Sequence, residues 1–196
     1  MRNLATTHML DRLAAHFGET CREVPVGFKH IAAAMVAHDV LLGGESSGGL
    51  TIRGHILGKD GIFAAALIVE MLARTGQRIS QLRKRVYDLI GHLYSVEVDL
   101  PATPEMRVVI PRRLQQVTPE SLGPYPVVRI SHLDGTKFHL EDDNWALLRF
   151  SGAEPVLRLH AEADSPEKAQ EVIQLLKKYV QADHRADRSP ATGCSP

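Results

Sequence analysis

Cysteine is scarce, and long apolar runs are missing. Cys21 and Cys194 are the only two cysteines in 196 residues. They lie far apart in no C-x-x-C arrangement, which excludes a disulfide framework and suits a reducing compartment, the cytoplasm. No apolar stretch reaches the length of a membrane span, and residues 1–20 lack the charged-then-apolar layout of a signal peptide, so neither membrane insertion nor secretion is expected. Neither sign of charge is in excess. Lys plus Arg and Asp plus Glu each total 23, which leaves no basic face for nucleic acid. The ten histidines form no H-x-x-x-H and no Cys/His cluster, so no metal site built from this chain's own ligands is expected.

What is present is enough apolar residue, 44% of the chain, to bury a core in one large or two small domains. In the first part, Met1–Ala5 suits the end of a strand, with Thr6 or Thr7 capping a helix over Met9, Leu10, Leu13 and Phe17 that stops at Gly18. Cys21–Val24 suits a second strand and Pro25–Lys29 a turn into a helix. Asp39–Leu42 reads as a buried strand. Short strands alternating with helices imply a βαβ-type α/β domain with a mostly parallel sheet. Asp60 can cap a long helix whose apolar face is Ile62, Ala65, Ala66, Val69, Leu72 and Ala73, and Ser80 can cap another. The cluster Arg83–Arg85 reads as a solvated face rather than a binding patch. Tyr94–Asp99 alternates as a strand, and Pro101 with Pro104 marks a linker.

A different pattern follows. After a helix near Pro104–Gln115, four apolar runs come in close succession: Val127–Ser131, Lys137–Leu140, Trp145–Arg149 and Val156–Ala161. Asp134-Gly135 is a two-residue hairpin signal, so these four strands should form an antiparallel sheet, packed by helices in an α+β layer. The second of those helices begins at Ser165-Pro166-Glu167, with Ala169, Val172, Ile173, Leu175 and Leu176 inward. The division expected is therefore 1–100, 101–183 and a polar, disordered tail over 184–196.

Two loops carry chemistry. Arg149-Phe-Ser151-Gly152-Ala153-Glu154-Pro155, with Arg158 close behind, joins two strands. Gly lets backbone N–H groups approach a ligand, Ser adds a hydroxyl, and two guanidinium forks suit phosphate oxygens. The same residues also read as an ordinary turn between solvated arginines. Gly43-Gly-Glu45-Ser-Ser47-Gly-Gly49 follows a strand, where open α/β sheets place ligand sites. Glu45 and Ser47 there can accept from and donate to sugar hydroxyls, although a solvated glycine loop is the alternative.

The first loop resembles the phosphate-binding R-x-S-G-T-E-P loop of the phosphohexomutases, the phosphoglucomutase and phosphomannomutase family. Ala153 stands in place of the family's Thr, and the missing hydroxyl removes a bond to a charged group, about 1.5–3 kcal/mol. The second resembles that family's G-E-x-S-G-G sugar-specificity loop. Pro25-Val-Gly-Phe-Lys29 and Lys59-Asp-Gly-Ile62 match neighbouring segments in order and spacing. The resemblance covers almost the whole chain to about residue 182. It implies the third domain (partial) and the fourth domain of such an enzyme. It assigns the sugar hydroxyls to Glu45, Ser47 and Lys29, and the phosphate to Arg149, Ser151, Gly152, Ala153 and Arg158. Lys29 also reads as a solvated lysine at a helix start.

The family interconverts hexose 1-phosphate and hexose 6-phosphate through a phosphoserine and a bisphosphorylated intermediate, with Mg²⁺. The 196 residues contain neither the serine loop with its His-Asn-Pro nor a D-x-D-x-D-R metal loop. The expectation is a substrate-binding half, inactive alone, that needs a partner supplying the first two domains. The alternative is a non-catalytic sugar-phosphate-binding module.

Overall fold

A computed structural model describes residues 1–116 and 119–186, with side chains through residue 181. Cys194 and all but the first three residues of the tail expected over 184–196 lie outside the described residues. Two compact units result, Met1–Leu93 and Tyr94–Pro196, and among the described residues no helix is long and apolar enough to cross a membrane.

In the first unit the elements run β1 (Arg2–Asn3), α1 (Met9–His16), β2 (Glu23–Val24), α2 (Phe28–His38), β3 (Leu42–Gly44), β4 (Leu50–Ile52), α3 (Gly61–Thr75) and α4 (Ile79–Ile90). The sheet order is β2-β1-β3-β4. β1 pairs parallel with β2 and with β3, and β3 turns back antiparallel onto β4. The mixed α/β class follows from these alternating short elements.

Three local expectations change. The strand placed at Asp39–Leu42 lies at Leu42–Gly44, because Asp39 adopts φ 48° to terminate α2, which leaves Leu41 64% exposed. Gly43 is buried there for want of a side chain: a Cβ would lie 2.5 Å from Ile31 Cγ2 and 2.7 Å from Met35 Sδ. Glycine is what allows β3 to lie on α2. The face assigned to α3 is also rotated. Asp60 does cap the helix, accepting from the Phe63 N–H, but Phe63 stacks on His55 at 3.9 Å. That anchor turns Phe63, Leu67 and Leu72 inward and leaves Ile62 86% exposed, with Val69 exposed as well. At α4 the cap is Arg78, whose N–H donates to the Gln81 side chain at 2.8 Å, and Ser80 falls inside the helix.

The second unit comprises β5 (Tyr94–Pro101), α5 (Pro104–Gln116), β6 (Ser121–Leu122), β7 (Tyr125–Ser131), β8 (Thr136–Leu140), β9 (Trp145–Phe150), β10 (Val156–Ala163) and α6 (Pro166–Ala186), with a 3-10 turn over Glu141–Asp143. Its sheet order is β5-β10-β9-β8-β7-β6, antiparallel throughout. The four expected strands are the middle of this sheet, and β5 and β6 extend it at the edges. The expected division at residue 100 puts β5 in the first unit, whereas it lies in the second. Its alternation explains where it belongs: Val96, Val98 and Leu100 face the second unit's core, and all eight residues pair with β10. The β7–β8 connection runs from His132 to Gly135, longer than the two-residue turn expected.

The core lies on one face of that sheet. Leu157, Leu159 and Ala161 of β10 pack with Met106, Ile110 and Leu114 of α5 and with Val172, Ile173 and Leu176 of α6. Strand alternation sends Arg158, His160 and Glu162 to the opposite face, where the polar groups of interest gather. α6 continues to Ala186, three residues into the segment read as tail.

Candidate functional site

The Ser151–Pro155 loop is the turn of the β9–β10 hairpin, entered at the pair Phe150↔Leu157. Its shape is held from within. The Ser151 N–H donates to the Val156 carbonyl at 3.0 Å, and the buried Ser151 hydroxyl accepts from the N–H groups of Ala153 and Glu154 at 3.3 and 3.2 Å. Two acceptances leave the hydroxyl proton available to a ligand. Gly152 is exposed, and its N–H makes no hydrogen bond with the described residues. Ala153 and Glu154 are exposed too.

Arg107 of α5, which the sequence reading missed, grips this loop. One of its terminal nitrogens donates to the Ser151 and Glu154 carbonyls at 3.0 and 2.9 Å, and its guanidinium lies 5.2 Å from the Phe150 ring centre. No local motif marks it, since an arginine on a helix is commonplace; only the packing of α5 brings it to the loop.

Arg149 and Arg158 are directly opposed on β9 and β10, so the structure brings these two predicted residues together on one face. Each has an acidic partner. Arg149 Nε lies 2.8 Å from Asp134 Oδ2. Arg158 makes a two-pronged pair with Asp99 at 2.8 and 2.9 Å, with Glu97 at 3.1 Å and Glu154 at 3.3 Å. The Asp99 hydrogen bond raises the Arg158 pKa further, and the same bond holds the Asp99 carboxyl below its ordinary value. Next along the face, buried His160 has its pKa pushed down to about 4. Burial is the leading cause, followed by the Arg158 and Arg149 charges. These outweigh the Asp99 charge, which raises it; Glu97 Oε2 stands 3.3 Å from Nδ1.

In the first unit the three matched segments converge on Glu45. Its Oε1 accepts from Asn3 Nδ2 and from the Gly27 N–H, both at 3.1 Å. Its Oε2 pairs with Lys59 Nζ at 2.7 Å, and the side chain is 5% exposed. Burial pushes this carboxyl up, but the bonds from Lys59, Asn3 and Gly27 prevail and hold it below the ordinary carboxylate range. The turn at Gly27, the glycine hairpin and the start of the Lys59–Ile62 segment are thus tied by one side chain. Ser47 and Lys29 are both exposed. The sequence assigns Asn3 no role and marks Lys59 only as the start of a matched segment.

Chemically, both loops offer hydrogen bonds and charge, which suits holding a polyhydroxylated anion. Among the described residues no three His, Cys, Asp or Glu side chains converge where a metal ion could be held. The described side chains do not fit the Mg²⁺ that the resemblance implies for the full-length enzyme.

Comparison with known proteins identifies the family and the fold. Residues 1–90 match the family described as phosphoglucomutase/phosphomannomutase, alpha/beta/alpha domain III, and residues 107–178 match its C-terminal domain. A phosphoglucomutase/phosphomannomutase of Thermococcus kodakarensis is 31% identical over 178 residues, which cover 91% of this chain and 37% of that protein. A Thermococcus gammatolerans protein named "Probable phosphoglucosamine mutase" is 31% identical over 163 residues, 83% of this chain and 34% of its own. The solved structure of a phosphoglucomutase/phosphomannomutase family protein from Burkholderia thailandensis shares the fold, with TM-score 0.75 and 20% identity over 98% of this chain and 38% of that one. The chain thus spans about a third of the length of the relatives it matches. It belongs to the phosphoglucomutase/phosphomannomutase family, of which it carries the third and the C-terminal domains.

Proposed function

We propose that this chain is the substrate-binding half of a phosphohexomutase, holding a hexose phosphate for an interconversion of the 1- and 6-phosphates that proceeds through a phosphoserine supplied by an amino-terminal half. One observation carries the reading. The β9–β10 turn presents the Ser151 hydroxyl and the Gly152 N–H beside two arginines opposed on one sheet face. Charge-assisted bonds from such donors are the means by which a phosphate is gripped without covalent chemistry. Arg149, Ser151, Gly152, Ala153 and Arg158 are the phosphate group of residues. Exposed Ser47 and Lys29 contact the sugar, and Glu45 joins them by exchanging the Lys59 ammonium for sugar hydroxyls. The setting is cytoplasmic, and Mg²⁺ belongs with the phosphoserine in the amino-terminal half.

Binding by the chain alone is weak, since both guanidiniums are already paired with carboxylates that a phosphate must compete with. A millimolar constant, roughly −4 kcal/mol, is expected. NMR titration with glucose 1-phosphate checks this. Arg149→Ala should abolish the shifts at Gly152 and Ala153, and Ala153→Thr should tighten binding up to about tenfold by restoring a hydroxyl. The same samples should not interconvert glucose 1-phosphate and glucose 6-phosphate until a protein bearing the serine and metal loops is added. Unchanged binding in Arg149→Ala would sink the phosphate reading, and turnover by the purified chain would sink the half-enzyme reading. No turnover even with the added half would leave the non-catalytic binding module.

A further inference from the structure

Like charges placed directly opposite on adjacent strands repel, so the Arg149–Arg158 pair needs compensation on both sides. Across the sheet the row runs Asp99, Arg158, Arg149, Asp134: carboxylate, guanidinium, guanidinium, carboxylate. Asp99 is simply the neighbour on β5. Asp134 arrives by a built route. Gly135 sits at φ +92°, and a Cβ there would lie 2.4 Å from the Leu148 carbonyl oxygen and 3.1 Å from Arg149 Cβ. Glycine is therefore required for the β7–β8 turn to approach β9, and that approach sets Asp134 against Arg149. The pair is largely sheltered, with Arg149 16% and Asp134 28% exposed. It borders a cavity of about 230 Å³ lined by the apolar Ile110, Leu114, Leu148 and Leu157 together with Gln115 and His132.

We propose that Asp134 is a built-in counter-anion for Arg149 which a phosphate must displace, and that residue 134 thereby sets the phosphate affinity of the β9–β10 loop. This deepens the phosphate reading above and rests on it. A carboxylate and a phosphate compete for the same planar N–H donors of a guanidinium. While Asp134 holds Nε, an incoming dianion meets both a depleted donor set and a negative charge. Removing that charge while keeping the turn should therefore favour phosphate. Asn, like Asp, suits a turn position before glycine.

The test uses the full, ¹⁵N-labelled chain titrated with inorganic phosphate and with glucose 1-phosphate, following the Gly152 and Ala153 amides. Wild type, Asp134→Asn, Arg149→Gln and the double variant are compared, with Asp134→Ser read in the same way should the Asn variant fold poorly. Asp134→Asn is expected to bind both anions about fivefold more tightly, the scale of a partly sheltered ion pair, and the gain should vanish in the double variant. If Arg149→Gln binds like wild type, the phosphate reading fails and the counter-anion with it. If Arg149→Gln weakens binding but Asp134→Asn does not tighten it, the phosphate reading stands and the counter-anion proposal is overturned. A gain that survives in the double variant overturns it as well.

Discussion

Both oxygens of Glu45 are taken by protein donors, and a carboxylate that accepts from Asn3, Gly27 and Lys59 at once is a structural hub as well as a ligand candidate. Removing it leaves a buried amide and a backbone N–H without their acceptor, which costs more than the net worth of the bonds themselves. Glu45→Ala should therefore lower the stability of the first unit by roughly 2 kcal/mol, whatever it does to sugar binding. Hydrogen exchange at β1 and β3 would report it, and protection equal to wild type would show that the three donors find other partners. Ser47 and Lys29 differ in kind. They are exposed, so substitutions there should leave folding intact and read out on ligand alone.

At the scale of elements, the hairpin loop shows what was legible and what was not. The apolar runs Trp145–Arg149 and Val156–Ala161 and the break at Ser151-Gly152 are local signals, and β9, its turn and β10 appear where they predict. The register that places Arg149 opposite Arg158 depends on the conformation of the turn as well as on which residues reach the core, and the loop motif by itself does not specify it. The strand read at Asp39–Leu42 failed for a related reason: its apolar residues look like a buried strand, but the end of α2 consumes Asp39, and two glycines form the strand instead. Arg107 was invisible because its role depends on α5 crossing the loop. By donating to the Ser151 and Glu154 carbonyls it closes the turn that the Ser151 hydroxyl closes from inside. Arg107→Met keeps much of the packing on Phe150 and removes those bonds, each worth about 1 kcal/mol. Phosphate affinity should fall severalfold, and stability by up to about 2 kcal/mol. An affinity unchanged by Arg107→Met would mean the loop holds its shape unaided.

For the molecule as a whole, the division into two units places the sole tryptophan, Trp145, in the second, buried and donating from Nε1 to Glu162. Its fluorescence therefore reports the unfolding of that unit, and the strongest pH lever there is His160. The histidine is buried among Arg158, Arg149, Lys137, Glu97 and Asp99, and its folded pKa is about 4 against 6.5 for the free side chain. Between those values the unfolded chain binds a proton that the folded chain refuses, so protonation favours unfolding. Stability supplied by the neutral imidazole is complete above pH 6.5, declines as pH falls, and is gone once pH passes below about 4. A shift of this size corresponds to roughly 3 kcal/mol. Asp99, held below its ordinary pKa by Arg158, loses its own contribution at more acid pH, so the raw slope mixes the two. Comparison with His160→Gln separates them, because glutamine stays neutral throughout. Denaturant midpoints followed by Trp145 fluorescence should fall more steeply from pH 6.5 to 4 in wild type than in His160→Gln, and the two curves should run together below that. Parallel curves across the whole range would show that the imidazole is protonated in the folded sheet and that Glu97, rather than burial, sets its charge.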